Sequence, residues 1–336
     1  MEKLRKISKC VAEHARNGNS KAALRCIDKL GEQNIKPDVA IMNSVIYSFA
    51  KQKDLDGARN AFDKMKEFNL KADVISYSSL LHVAAQSAQP KTALQILESM
   101  YKNDVQPNTQ VVNSVISACS KANDAHRCIY YFQKFFNVDG FTPNVVSFNI
   151  MMGVETNIND AMTWWNGMEA HQLEPTIISY NTILQILCRE NDMKAAVDWF
   201  YKIERSPNCI PDTNSYNMLI YALIKNNEIQ LAEKFEARMG KAKVEKNGGT
   251  YSALMTRPSK KHKLPPERCV QLFENMLVDG IEPSEQHYAI VLDAFSHAKD
   301  PSGAKLWLDN LAAAGHVPTN VHARTVLNLY IERIMY

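Results

Sequence analysis

The stretch KPDVAIMNSVI (36–46) sets one small polar residue, Asn43, in the middle of an apolar run. The phrase returns as QPNTQVVNSVI (106–116), TPNVVSFNIMM (142–152), EPTIISYNTIL (174–184) and IPDTNSYNMLI (210–220), and a looser copy with Ser78 follows Asp73. Proline stops one helix, and the Asp or Asn after it is a good start for the next. Each copy therefore reads as a helix boundary.

A second pattern lies about twenty residues further along each copy. Ala23, Ala58, Ala93, Cys128, Ala161, Ala196, Ala232, Cys269 and Ala304 follow one another at spacings of 35, 35, 35, 33, 35, 36, 37 and 35 residues. Four residues on stands a large apolar group such as Phe62, Leu97, Phe132, Trp165 or Phe200. Seven on stands Leu30, Met65, Met100, Phe135, Met168, Ile203, Met239, Met276 or Leu311. An i, i+4, i+7 pattern is one helical face. The small residue admits a neighbouring helix, and the large ones fill the space beside it. Polar turns such as NGN (17–19) and QKD (52–54) separate two helices within each period.

The chain is thus expected to be all-α, a right-handed α-solenoid superhelix of stacked antiparallel helical hairpins. Nine hairpins fit, at 4–38, 39–73, 74–108, 109–144, 145–176, 177–212, 213–247, 248–284 and 285–319, with a C-terminal capping helix over 320–336. About nineteen helices are expected, with no domain boundary. The fifth hairpin is short, since FNIMMGVETNIND (148–160) leaves little room for its first helix. In the eighth, RPSKKHKLPPERC (257–269) carries Pro258, Pro265 and Pro266, which predicts a basic surface loop.

Of 336 residues, 46% are hydrophobic and 22% charged, which excludes a disordered chain and supplies a large core. A net charge of +3 neither announces nor excludes a nucleic-acid partner, so the placement of charge has to decide. Seven cysteines without a CxxC read as buried free thiols in a reducing compartment. No run of apolar residues is long enough to read as a membrane span and no presequence is visible; with YIERIMY at the end of the repeats, no further catalytic domain is expected. GxGxxG, Walker A, HExxH and paired-cysteine zinc patterns are missing. His316 and His322 lack Cys or Asp companions and read as surface residues; Trp164 and Trp165 read mostly as core. No enzyme, cofactor or metal site is expected.

A 35-residue hairpin that ends in Pro-Asp or Pro-Asn and continues V-x-[ST]-[YF]-N, as in PNVVSFN (143–149) and PTIISYN (175–181), resembles the pentatricopeptide repeat family. The resemblance runs over 4–319. The W-LG-Y pattern of tetratricopeptide repeats is missing. The resemblance implies that each repeat reads one base of single-stranded RNA. The readers would be the fifth residue of the first helix and the last residue of the repeat. Those pairs are Ser8 with Asp38, Asn43 with Asp73, Ser78 with Asn108, Asn113 with Asn144, Asn149 with Thr176, Asn181 with Asp212, and Asn217 with Asn247. Ser252 with Ser284 and Ala289 with Thr319 carry no readable pair. In the family, Asn with Asp favours U, Ser with Asn favours A, Ser with Asp favours G and Asn with Asn favours a pyrimidine, which spells G-U-A-Y-N-U-Y.

An amide or hydroxyl can address a Watson–Crick edge without any appeal to family. Asn and Ser near helix starts also have a plain role as caps. A second row holds Arg16, Lys51, Gln86, Lys121, Arg189, Lys225 and His297 at the thirteenth place. Its firm cations Arg16, Lys51, Lys121, Arg189 and Lys225 could track phosphates, or could favour a helix C-terminus. The resemblance further implies a base clamp at the second place, where Ile75, Val146 and Ile178 fit, while Gln110, Asn214, Gly249 and Gln286 depart from it. The function expected is a sequence-selective single-stranded RNA binder that handles transcripts in a mitochondrion or chloroplast. The alternative is a structural subunit of a large ribonucleoprotein such as an organellar ribosome. Partners would be RNA and, on the alternative, ribosomal or other ribonucleoprotein subunits, with no membrane and no small-molecule substrate.

Overall fold

Each proline-terminated phrase opens a helix, and the chain alternates two helices per period. The computed structural model describes residues 2–33, 35–136, 141–255 and 265–335, with side chains from 9 to 331 inside those ranges. It holds nineteen α-helices and no strand among the described residues. They form two compact units, Met1–Pro175 and Thr176–Tyr336.

In the first unit the hairpins are α1 (Glu2–Arg16) with α2 (Ser20–Glu32), α3 (Val39–Ser48) with α4 (Leu55–Glu67), and α5 (Val74–Gln86) with α6 (Pro90–Lys102). Then come α7 (Thr109–Lys121) with α8 (Ala125–Phe136), and α9 (Val145–Val154) with α10 (Ile158–Ala170). The odd-numbered helices α1, α3, α5, α7 and α9 pack on one another in sequence, and each also packs on its own second helix. The second unit repeats the plan. Its pairs are α11 (Ile177–Glu190) with α12 (Met193–Arg205), α13 (Thr213–Lys225) with α14 (Ile229–Lys241), α15 (Gly248–Leu254) with α16 (Pro266–Val278), and α17 (Glu285–His297) with α18 (Pro301–Ala313). A last helix, α19 (Asn320–Met335), packs on α17 and α18. The fold class is the all-α solenoid.

The packing follows the small-residue period. All nine small residues from Ala23 to Ala304 are at most 1% exposed. Phe62, Met65, Phe132, Trp165, Phe200 and Met239 are buried beside them. A small residue lets two helices close, and the large ones interdigitate around the contact. The turns are just as periodic. Gly18, Lys53, Ala88, Asn123, Asn191, Asn227 and Lys299 all take positive φ between the first and second helix of a hairpin. A tight reversal of the chain demands that left-handed residue, whichever side chain occupies it.

α9 has 10 residues, as α3 does, where α5, α7, α13 and α17 have 13. α15 has 7 residues. The basic segment expected at 257–264 lies outside the described residues, and Pro266 opens α16. Trp165 is 1% exposed and donates from Nε1 to Glu169. His322 is half-buried and accepts at Nδ1 from the Thr319 backbone N–H. No described helix is long and apolar enough to cross a membrane.

Candidate nucleic-acid interface

The residue that ends each repeat is the N-cap of the next first helix. Asp38 Oδ1 accepts from the Ile41 N–H at 2.7 Å, Asp73 from Ser76 at 2.8 Å, and Asn108 from Val111 at 3.0 Å. Asn144 accepts from Ser147 at 3.1 Å, Asp212 from Ser215 at 2.8 Å, and Asn247 from Thr250 at 3.1 Å. Thr176 and Ser284 cap α11 and α17 in capping boxes. The capping duty thus falls on the repeat-end residues. The fifth residues Asn43, Ser78, Asn113, Asn149, Asn181 and Asn217 stand a full turn inside their helices, where Asn and Ser bring no capping benefit. Ser8 lies on α1, and its side chain is outside the described set.

Four fifth residues meet their cap side chain to side chain, two in each compact unit, while Ser78 Oγ makes no hydrogen bond to Asn108. Asn43 Nδ2 donates to Asp73 Oδ1 at 3.2 Å, and Asn113 Nδ2 to Asn144 Oδ1 at 3.2 Å. In the second unit Asn181 Nδ2 donates to Asp212 Oδ1 at 3.1 Å, and Asn217 meets Asn247 at the same distance. Turned over, Asn217 satisfies both ends: Nδ2 donates to Thr250 Oγ1 at 2.8 Å and Oδ1 accepts from the Thr250 N–H at 3.2 Å. Ser147 and Ser215 donate to the oxygens of Asn113 and Asn181, each at 2.7 Å. The pair Asn149 and Thr176 is divided between the two units.

The network is incomplete in a telling way. Asn43 Oδ1, Ser78 Oγ and Asn149 Oδ1 are buried and have no hydrogen-bond partner among the described residues. Each such atom costs about 1–3 kcal/mol relative to a satisfied one. All three stand at the fifth place of their repeats; Ser20 Oγ, outside that row, is likewise buried without a partner among the described residues.

Around Asn43 the first compact unit forms a groove of about 960 Å³, which Ser78 and Asn149 do not line. Arg16, Asp38, Ala40, Asn43, Lys51, Asp73, Ile75 and Gln110 line it. A second groove of about 360 Å³ gathers Gln86, Gln110, Asn113, Asn144 and Val146. Places two, five and thirteen therefore converge, because spacings of three, then four and four keep one helix face. Ile75, Val146 and Ile178 are 62%, 54% and 63% exposed. Apolar side chains that open to water beside polar readers gain nothing from the fold itself.

Arg16, Lys51, Lys121, Arg189 and Lys225 are all exposed. Lys121 Nζ donates to Gln86 Oε1 at 2.7 Å, and Lys225 sits over the Tyr221 ring at 5.7 Å. His297 pairs with Asp293 at 3.2 Å instead of joining the cation row. Burial works against the charge of Asp73, but hydrogen bonds from Ser76 and Asn43 outweigh it and hold the carboxyl below its usual range. Asp212 behaves alike through Ser215 and Asn181.

The sequence reading missed the ninth place. Tyr47 lines the first groove and stacks on His82 with ring centroids 5.1 Å apart and planes 15° apart. Burial, then the charge of Lys121, lowers the pKa of His82, so the ring is neutral near pH 7. The signal was present: the face that carries places two and five carries place nine four residues later.

Residues 26–188 match a model described as the pentacotripeptide-repeat region of PRORP, 175–223 match a PPR repeat family model, and 214–244 match a PPR repeat model. A chloroplastic pentatricopeptide repeat-containing protein of Arabidopsis thaliana is 26% identical over 174 residues, 51% of this chain and 22% of that protein. The mitochondrial 15S rRNA processing factor CCM1 of Saccharomyces cerevisiae is 25% identical over 122 residues, 35% of this chain and 14% of that protein. The chain thus spans less than a quarter of the length of either. Among solved structures, the maize pentatricopeptide repeat protein PPR10 superposes with a TM-score of 0.63 at 19% identity, over 93% of this chain and 44% of that one. Three overlapping repeat models, the shared solenoid and the recurring proline-capped phrase agree: the chain belongs to the pentatricopeptide repeat family.

Proposed function

We propose that the chain is a sequence-selective single-stranded RNA-binding protein that acts in the stability, processing or translation of organellar transcripts. The observation that carries this reading is the row of orphaned buried oxygens on Asn43, Ser78 and Asn149. An RNA base offers the donor or acceptor that the protein withholds. The exposed Ile75, Val146 and Ile178 supply apolar faces for the bases, and Lys51, Lys121, Arg189 and Lys225 supply charge for the phosphates. Nothing in this scheme requires catalysis. Relatives named as chloroplastic and mitochondrial proteins, one of them an rRNA processing factor, support a mitochondrial or chloroplast setting. The reader pairs spell a preferred core of G-U-A-Y-N-U-Y. The repeat boundaries at 4–38 through 285–319 belong to the same reading.

A second reading is a structural subunit of a ribonucleoprotein such as an organellar ribosome. Ala289 at a fifth place, and Gln110, Asn214, Gly249 and Gln286 at second places, favour it, since they weaken base selection. Crosslinking the chain to RNA in cells and sequencing the bound fragments tests both. A few messenger or precursor sites that contain the G-U-A core support the first. One stoichiometric ribosomal site without that core overturns it in favour of the second.

A further inference from the structure

Away from the groove rows, the first hairpin gathers three metal-ligand side chains. Cys10 and His14 stand four residues apart on α1, and α2 brings Cys26 against them. The Sγ atoms of Cys10 and Cys26 lie 3.7 Å apart. The two sulfurs and a His14 ring nitrogen all lie within 4.8 Å of one another. All three residues are half-buried.

We propose that Cys10, His14 and Cys26 form a binding site for a zinc-type divalent cation that ties α1 to α2. The spacing fits. Metal–sulfur bonds of about 2.3 Å in a tetrahedral site set two thiolate sulfurs about 3.8 Å apart. The observed 3.7 Å, a thiol–thiol hydrogen bond, already matches that edge, whereas a disulfide needs about 2.05 Å. His14 shares the α1 face with Cys10, because residues four apart on a helix are neighbours. Two sulfurs and one imidazole suit a borderline-soft d¹⁰ ion far better than Mg²⁺ or Ca²⁺, which take oxygen ligands.

The charges balance as well. Each thiol releases its proton as its metal–sulfur bond forms, and His14 binds as neutral imidazole. Two thiolates and a dication leave a neutral cluster, which a half-buried position tolerates. The described residues supply three ligands, so the fourth position is open to water. The hairpin has an apolar core without these groups: Val11, Ala23, Ile27 and Leu30 are fully buried. What the ion adds is a fixed register between α1 and α2. Arg16, two residues beyond His14, lines the 960 Å³ groove, so the tie also fixes one wall of that groove. The site stands independently of any RNA reading.

The test uses the full chain, reduced and stripped of metal, titrated with Co²⁺ and then Zn²⁺. One Co²⁺ per chain is expected, with thiolate-to-cobalt charge-transfer absorption and the visible bands of a tetrahedral ion, both erased by Zn²⁺. Cys10→Ser and Cys26→Ser should each lose the charge-transfer band, and His14→Gln should weaken Co²⁺ binding by about tenfold or more. Cys188→Ser, in the other compact unit, should bind Co²⁺ like the parent. Zn²⁺ should raise the thermal midpoint of the parent and leave that of Cys26→Ser unmoved. Circular dichroism reports whether each variant folds, and His14→Gln carries the test if a serine variant does not. The proposal is overturned if the reduced chain gives no cobalt–thiolate band. It is overturned equally if the band survives in the folded Cys10→Ser and Cys26→Ser variants, or if Cys10 and Cys26 are recovered only as a disulfide that binds no metal.

Discussion

Asn43 donates one hydrogen bond to Asp73 and keeps its own oxygen buried and unused. That half-made contact is the feature a base would complete. Replacing Asn43 by Ser while Asp73 stays changes an amide into a hydroxyl at one step of the row. The preference at that step should move from U toward G, by roughly 1–3 kcal/mol if the pair discriminates as bidentate base contacts do in DNA. Competition binding with RNAs that differ only at that base measures it; an unmoved preference for U would strip Asn43 of its reading role. Asp73 also carries a pH signature. Its folded pKa lies below the free value of 3.8, so the unfolded chain takes up protons first as pH falls. The carboxylate's contribution is therefore complete above about pH 4 and disappears as pH drops through the depressed folded value. Asp73→Asn keeps the cap, as Asn108 and Asn144 do at the same place. Urea unfolding at stepwise lower pH should show a shallower acid loss in Asp73→Asn than in the parent.

Elements close on one another through matched large and small residues, and two matches lie outside the main small-residue period. Gly57 is the third residue of α4, and a Cβ there would collide with the Phe49 ring. Gly303, third in α18, stands in the same relation to Phe295. Phe49 and Phe295 share the eleventh place of their repeats, where Ala84, Cys119, Leu187 and Leu223 stand elsewhere. A bulky ring at that place is accommodated by a missing Cβ on the partner helix. Gly57→Ala should cost about 1–3 kcal/mol from overpacking. Phe49→Ala alone leaves a cavity, and the double variant should be more stable than the sum of the two losses predicts. Strictly additive losses in denaturant titrations would deny the contact. The sequence announced the period, the hairpins and the burial of Ala58, Phe62 and Met65, since those follow from one helix's own 3.6-residue face. It concealed whatever depends on a second helix. The meeting of Cys26 with Cys10 and His14 joins residues whose spacing has no fixed rule, whereas Tyr47 and His82 stand one 35-residue period apart and Phe49–Gly57 and Phe295–Gly303 share a spacing of eight, so only the contact itself waited for the fold. The caps fell between. Pro-Asp marked the helix start, but only the folded chain shows Asp73 also accepting from Asn43, one hairpin back.

At the scale of the molecule, a net charge of +3 on 336 residues gives little long-range pull on a polyanion. The cap row adds a local obstacle, since Asp38 and Asp73 put carboxylates along the first groove. On the proposed reading, affinity for RNA must then come from cations placed on the groove side, and the thirteenth-place row is the periodic source. Lys51 and Lys121 lie in the first compact unit, Arg189 and Lys225 in the second. Each phosphate contact on a single strand contributes about 0.7 to the slope of log affinity against log salt. Lys51→Gln with Lys121→Gln should flatten that slope by up to about 1.4, and Arg189→Gln with Lys225→Gln by a similar amount. The loss should be the same for a cognate and a scrambled RNA, because phosphates carry no sequence. The G-U-A preference should survive in both double variants, since the readers are untouched. If one strand runs through both compact units, the quadruple variant should show the sum of the two slope changes. If only one unit holds RNA, one pair will carry the whole effect and the other none. An unchanged slope in all three variants would remove the thirteenth-place cations from the phosphate path and leave them as helix-end charges that favour the dipole.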